Sequence, residues 1–476
     1  MLQKKWLSLI LVAAMALSAV PLVGAQGDGD LGLPLLEATS PEVQAYYLPD
    51  GEQFQGQSLN VVINSTFLEV NPEPLEMGKA KFEELTGATI NYIPLPENQL
   101  YDQVRLELAV ESGAYDMVHT GAGGAMDFGL AGFLVPLPEP PDVDDFFAAD
   151  VDQYSAGGTI YGLPMVADTN ILYWRTDLFE AAGLDPAAPP QTYDELREYA
   201  LKLTTDVNGK HPGEDGFDAD NIEVYGLAFK GVAGLASTWE WYNYLFAFGG
   251  DVFDADYNVT IDSPEAIASL QWVVDNMREY HIYPADTATY DYTEFHTLFI
   301  QGRVAMAINW PYMYNMAQDP AQSEVVDKVA IGRKPAQVTH GGEIGGWSWN
   351  VFKMSQNQDL AIAFAKFMSG PDISLAFAEG GNVPVRQSVA AIMTEQDPVL
   401  YGAIAANQAD GKSIGFIETG PSWTPIEQEL SQAIQEALIG EKDPETALKD
   451  AKADIEEILA DDNFYEDILP QLVTAE

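Results

Sequence analysis

The stretch from Gly157 to Arg175 constrains the fold more than any other. Two apolar runs, Ile160 to Met165 and Ile171 to Trp174, flank the short polar segment Ala167-Asp168-Thr169-Asn170. An extended segment of this pattern leaves one hydrophobic core and enters another, which makes it a crossing between two globular halves. The length agrees, because 476 residues exceed what a single core organises. A cleft between two halves is where small molecules usually bind.

What precedes the first half is of a different kind. Residues 1–25 carry Lys4 and Lys5, an apolar run from Trp6 to Val20 and the small residues of Val23-Gly24-Ala25, the pattern of an export signal. Residues 26–57 are acidic and interrupted by Gly and Pro, with no sustained period, so a mobile or loosely docked leader is expected. Cysteine is absent, which excludes a disulfide framework, a thiol nucleophile, a cysteine-ligated metal and acylation at a cysteine after cleavage. Export followed by release into a periplasm or the medium is therefore expected. The formal charge of −51 argues against nucleic acid or an anionic membrane face as a partner.

The first half opens on a strand, Leu59 to Ile63. A helix from about Pro74 follows and Gly87 ends it. Thr89 to Ile93 is a second strand, Leu100, Val104 and Leu108 mark a second helix, and Tyr115 to His119 is a third strand. This alternation predicts right-handed crossovers on a parallel sheet. Ligands of such sheets bind beyond the carboxyl ends of the strands, here Asn64 to Phe67, Pro94 to Glu97 and the small-residue loop Thr120 to Ala125. Thr66, Phe67, Glu97, Thr120 and Gly121 are accordingly candidate ligand contacts. The loop lacks the GxxxxGK[ST] pattern and has no nearby Lys or Arg, so it is not a phosphate loop.

The second half is marked by helix starts. Thr192 to Glu195 and Ser237 to Glu240 have the form of capping boxes, and Asp262-Ser-Pro-Glu265 starts a third helix. Val224 to Phe229 and Val304 to Ile308 read as strands, so this half is α/β as well. Gly341 to Gly346, followed by the strand Trp347 to Phe352, is the expected return crossing. A helix over Ala361 to Met368 and two more, about Pro425 to Ile439 and Pro444 to Leu459, complete the chain. The halves are placed at 58–167 plus 345–415 and at 168–340 plus 420–476.

Tryptophan placement carries the most chemistry. Trp239 and Trp241 open a helix, Trp310 follows a strand and precedes Pro311, and Trp347 follows a glycine pair, all positions from which a ring can face a cleft. Trp174, Trp272 and Trp349 read as core. Aromatic faces pack on the apolar faces of sugar rings, and the same rings beside carboxylates would also cage a quaternary ammonium. Arg386 is the main cation near the proposed mouths. The five histidines lack any metal spacing and read as surface or turn residues, and no metal or other cofactor is expected. Carboxylate pairs for glycoside hydrolysis depend on a separation that sequence does not give.

Five segments, in this order, carry a resemblance: Tyr161 to Phe179, Ala305 to Tyr312, Gly345-Gly346-Trp347, Val383 to Arg386 and Glu445 to Ala451. Over about Leu59 to Leu459 the chain resembles the extracellular solute-binding proteins of ABC importers, in the sugar-binding group. The resemblance implies an α/β, two-lobed periplasmic-binding-protein fold of type II, each lobe a central sheet flanked by helices and joined to the other by crossing hinge segments. It implies a non-catalytic receptor that closes on a mono- or oligosaccharide and delivers it to membrane permease subunits, with no nucleic-acid partner and a monomeric chain. Asp168 matches a crossing carboxylate that binds sugar hydroxyls, Trp310 or Tyr312 a stacking position, and Trp347 the Trp after the glycine pair. Thr120 falls where maltose-binding relatives have an aromatic and then an Asp, a departure from the pattern. A cationic solute and, further off, a secreted glycosidase are the alternatives.

Overall fold

The computed structural model describes residues 32–49, 51–110, 112–413, 420 and 422–470, so the export signal lies outside the described residues. Nine strands position the site: β1 (Ser58–Asn64), β2 (Thr89–Leu95), β3 (Met117–Gly121), β4 (Leu163–Thr169), β5 (Ile171–Arg175), β6 (Met306–Asn309), β7 (Val329–Gly332), β8 (Glu343–Val351) and β9 (Lys412–Ser413).

β1 is parallel to both β2 and β3, as the alternation predicts, with helices Pro72–Thr86 and Glu97–Val110 as the crossovers. Gly87 ends the first of these helices at φ 68°, a left-handed cap that suits a residue without a Cβ. β8 runs antiparallel to β3 and β4 and parallel to β9, which completes a six-stranded sheet in the order β9-β8-β3-β1-β2 with β4 beside β8. A second, antiparallel sheet has the order β6-β5-β7. The fold is therefore mixed α/β and two-lobed, each sheet with helices packed on it.

The Gly157–Arg175 segment does what its pattern requires. β4 belongs to the first sheet and β5 to the second, and Asn170 alone stands between them. All five residues of β5 are buried, because it is the central strand of its sheet. The return passes from β7 through residues 333–342 into β8, whose first part pairs with the last part of β4: Ile344 with Thr169, Gly345 with Asp168, Gly346 with Ala167. The two crossings thus lie side by side.

Several expectations need correction. The leader is docked where it is described: Ser40 caps the helix Pro41–Tyr47, and Leu33, Leu36, Val43, Tyr47 and Phe54 share a core with Leu59, Val61 and Ile63 of β1. Its apolar residues are too widely spaced to show a period but suffice to bury one face. Ser237 to Glu240 is not a capping box; Ser237 lies inside the helix Leu235–Ala247, and Glu240 is buried against Lys230. Val224 to Phe229 is a strand only at its start. The strand is Ile222–Val224; beyond it Tyr225 still bridges Val304 and the Gly226 carbonyl accepts the Met306 N–H, but the Gly226 N–H turns to the Thr204 hydroxyl at 2.9 Å and the ladder stops. Thr120 to Ala125 is not a loop, since a helix begins at Ala122. His119 and His296 are buried rather than superficial.

Candidate functional site

A cavity of about 750 Å³ of atom-free space, part of it open to solvent, lies between the two sheets beside the crossings. One wall comes from the first sheet. β1 ends at Asn64, whose side chain accepts the Phe67 N–H at 3.0 Å and so starts the short helix Ser65–Val70. That turn brings Asn64, Thr66 and Phe67 to the wall, joined by Tyr101, Gly121 and Gly123. The crossings supply Asp168, Gly346 and Trp347, while Leu235, Trp239, Tyr292, Trp310 and Tyr312 form the opposite side. Asn382 and Trp423 close it. Eight rings thus surround one carboxylate, and neither Lys nor Arg stands on the wall among the described residues.

The rings are held from behind. Trp347 and His119 are diagonal neighbours on β8 and β3, and their rings stack at 4.6 Å with an interplanar angle of 2°. Phe67 tilts against His119 at 4.4 Å and Trp347 at 5.9 Å. Burial pushes the His119 imidazole down to about 3, so the ring behind Trp347 is neutral. Trp310 instead lies over the Lys230 ammonium, 4.7 Å from its ring centre, and Tyr292 lies over the same group at 5.9 Å. Lys230 is fully buried, paired with Glu240, and donates to Asn309 Oδ1 at 3.2 Å.

Two glycines leave room for rings. A Cβ on Gly345 would stand 2.6 Å from the Trp239 ring, and one on Gly123 would stand 2.5 Å from the Trp423 ring. Trp239 and Trp423 sit on adjoining helices, Leu235–Ala247 and Trp423–Ile439. A hydrogen bond of 2.7 Å between Thr238 Oγ1 and Glu427 Oε1 ties these helices together. The Thr238 hydroxyl also reaches the Leu235 carbonyl at 3.0 Å. The hydroxyl donates to Glu427 Oε1, which favours the charged carboxylate, but burial outweighs this and pushes the Glu427 carboxyl up to about 8. Under the crossings, Asn170 donates to Glu343 and Lys334 Nζ donates to Asn243 Oδ1 at 2.7 Å. Burial raises the Glu343 carboxyl and lowers the Lys334 ammonium.

Of the twelve candidate residues, Thr66, Phe67, Gly121, Asp168, Trp239, Trp310, Tyr312 and Trp347 share this one cavity. Three stand elsewhere. Thr120 is buried with its hydroxyl on Tyr101 at 3.1 Å. Trp241 turns into the core and bonds Ser269 at 2.9 Å, because two residues along a helix is about 200° of rotation from Trp239. Arg386 is fully buried between Asp142 and Asp145, both at 2.9 Å, with Tyr47 Oη at 2.6 Å. The Glu97 side chain lies outside the described residues. Tyr101, Tyr292 and Trp423 were missed. Tyr292 is the first residue after the N-cap Asp291, inside the capping box that ends at Glu294, and Trp423 starts a helix, the same helix-start signal that singled out Trp239.

A probable amino-acid ABC transporter periplasmic-binding protein of Sinorhizobium fredii is 24% identical over 388 residues, 79% of this chain and 84% of that protein. The mannitol-binding protein of Pseudomonas aeruginosa is 28% identical over 295 residues, 61% of this chain and 64% of that protein. In three dimensions the fold matches an ABC transporter solute-binding protein of Thermotoga lettingae, bound with alpha-D-tagatose, at a TM-score of 0.74 and 24% identity, covering 85% of this chain and 100% of that one. The model of the bacterial extracellular solute-binding proteins matches residues 69–373. On that match, and on the paired crossings and ring-lined cleft that accompany it, the chain belongs to the family of bacterial extracellular solute-binding proteins.

Proposed function

We propose that this chain captures a mono- or oligosaccharide in the cleft and delivers it to the membrane permease subunits of an ABC importer. The observation that carries the reading is the cavity wall: eight rings, the amides of Asn64, Asn71 and Asn382, and the single carboxylate Asp168. Flat rings suit the C–H faces of sugars, and amides and a carboxylate suit their hydroxyls. In this reading Trp239, Trp310 and Trp347 stack and Asp168 accepts hydroxyl protons. Tyr312, Phe67, Thr66 and Gly121 complete the contact surface. The mannitol named for a relative is a ligand of the same chemistry. The amino acid named for another carries a charged α-carboxylate, and the described wall has no Lys or Arg to pair with it.

Capture without turnover is part of the proposal. Glycoside hydrolysis uses two carboxyl groups about the scissile bond, whereas Asp168 is the wall's only carboxylate among the described residues. The export pattern of residues 1–25 and the absence of cysteine support a free periplasmic or secreted chain, and size-exclusion chromatography with light scattering is expected to give a monomer. Closure transmits the loaded state, because a ligand that prefers the closed form shifts the hinge equilibrium toward it.

The test is calorimetric titration with mannitol, tagatose, maltose and maltotriose, followed by chromatography of the recovered sugar. One-to-one binding with the sugar recovered intact is expected. Silence with every sugar refutes the receptor reading, and conversion of any sugar to products refutes its non-catalytic part.

A further inference from the structure

The cleft has the composition of a cation cage, rings around a carboxylate, and yet two of its rings are backed by a cation. Lys230 is fully buried and is not on the cavity wall, while Trp310 and Tyr292 are, so those rings stand between its ammonium and the cavity. The ammonium lies 4.7 Å from the Trp310 ring centre, 5.9 Å from that of Tyr292 and 4.1 Å from that of Phe295. Its countercharge, Glu240, is buried too, on the helix Leu235–Ala247. The pair therefore behaves as a fixed dipole with its positive end against the rings. Trp347 differs, being backed by the neutral imidazole of His119 at 4.6 Å.

An aromatic ring attracts a cation through the negative potential of its face. A cation already held against one face opposes a second cation arriving at the other. It leaves neutral C–H groups, which bind by dispersion and apolar burial, far less affected. We infer that Lys230 is a specificity-determining residue, which acts through Trp310 and Tyr292 to make the cleft reject cationic solutes in favour of neutral polyhydroxylated ones. The inference rests on the reading of the cleft as the ligand site. It explains how rings and a carboxylate serve a sugar without also capturing quaternary amines.

The test uses a matched pair of probes, choline and its uncharged isostere 3,3-dimethylbutan-1-ol, with mannitol as the neutral polyol. Lys230→Met alone would leave the Glu240 carboxylate buried and unpaired, so the informative variant is Lys230→Met/Glu240→Gln, with Lys230→Arg as the charge-preserving control. Near-ultraviolet circular dichroism checks that the rings keep their packing. Affinities come from tryptophan fluorescence titration. In the wild-type chain the isostere is expected to bind better than choline. In the double variant the choline-to-isostere preference rises about tenfold, and in Lys230→Arg it stays near the wild-type value. A merely structural role for Lys230 would weaken all three probes together and leave that ratio unchanged. An unchanged ratio in a double variant that still binds mannitol overturns this inference and leaves the receptor reading intact. A wild-type chain that prefers choline and ignores mannitol overturns both.

Discussion

Gly345→Ala is the sharpest probe of the site, because it adds one methyl group and touches one ring. The new Cβ would stand 2.6 Å from the Cζ3 and Cη2 atoms of Trp239. Carbon atoms in contact prefer about 3.5–4.0 Å, so the indole has to withdraw by about 1 Å. The atoms met are the far end of a side chain on a cavity wall, so the ring yields and the backbone does not. The fold should therefore lose less than the roughly 1–3 kcal/mol typical of an overpacked core. Binding should lose the ring contact, about 0.5–1.5 kcal/mol, which is about a two- to tenfold rise in Kd for the sugar. Calorimetry on the wild type, Gly345→Ala, Trp239→Ala and the double variant closes the cycle. Once Trp239 is gone, the alanine should have no further effect. An equal loss in the Trp239→Ala background, or no loss in the wild type, would refute the assignment of Trp239 as a ligand platform.

Glu427→Gln should make the protein more stable in mildly alkaline buffer than in acid relative to wild type. The folded-state pKa of about 8 lies above the free value of 4.5, so stability is full below pH 4.5 and declines as pH rises toward 8. At pH 7 this costs about 3 kcal/mol, and the glutamine, whose carbonyl oxygen can still accept from Thr238, should remove most of the decline in melting temperature. His119→Phe acts at the other end. The imidazole is held down to about 3 from 6.5, so stability is full above pH 6.5 and is lost as pH falls toward 3. The variant should melt less steeply between pH 6.5 and 4 than the wild type. Arg386→Leu should destabilise by about 3 kcal/mol by leaving Asp142 and Asp145 without their shared cation. Chemical denaturation measures that loss, and sugar affinity below the transition should stay at the wild-type value.

The sequence made local features legible and hid distant ones. Strand and helix periods place β1 to β3 and their crossovers, and the polar gap between two apolar runs places the passage from β4 to β5. Asp168 and Trp310 follow from those elements because each sits at the end of a strand, whereas Trp347 was flagged by the glycine pair before it and stands in the middle of β8, which begins at Glu343. Trp239 and Trp241 looked equivalent in one dimension. Helical rotation sends one to the cavity and the other to Ser269. Arg386 looked like a cleft cation because its partners are far away in sequence: Tyr47 comes from the leader, 339 residues earlier. The leader reads as mobile or loosely docked for the same reason, since its apolar residues share a core with the helix Gln358–Met368, far along the chain. Trp423 reaches the wall from a helix far along the chain, beside Gly123, and no local pattern pairs those two residues.

Between β4 and β5 the backbone has one residue, Asn170, and its side chain is tied to Glu343 at the start of the neighbouring strand. A loop there would let the lobes slide or tumble in many directions. A single link, fastened to its companion, restricts them to turning about a short axle under the cavity floor. In the proposed receptor, a side chain near Asn170 that shifts the resting angle between the lobes would change how tightly a sugar is held without touching it.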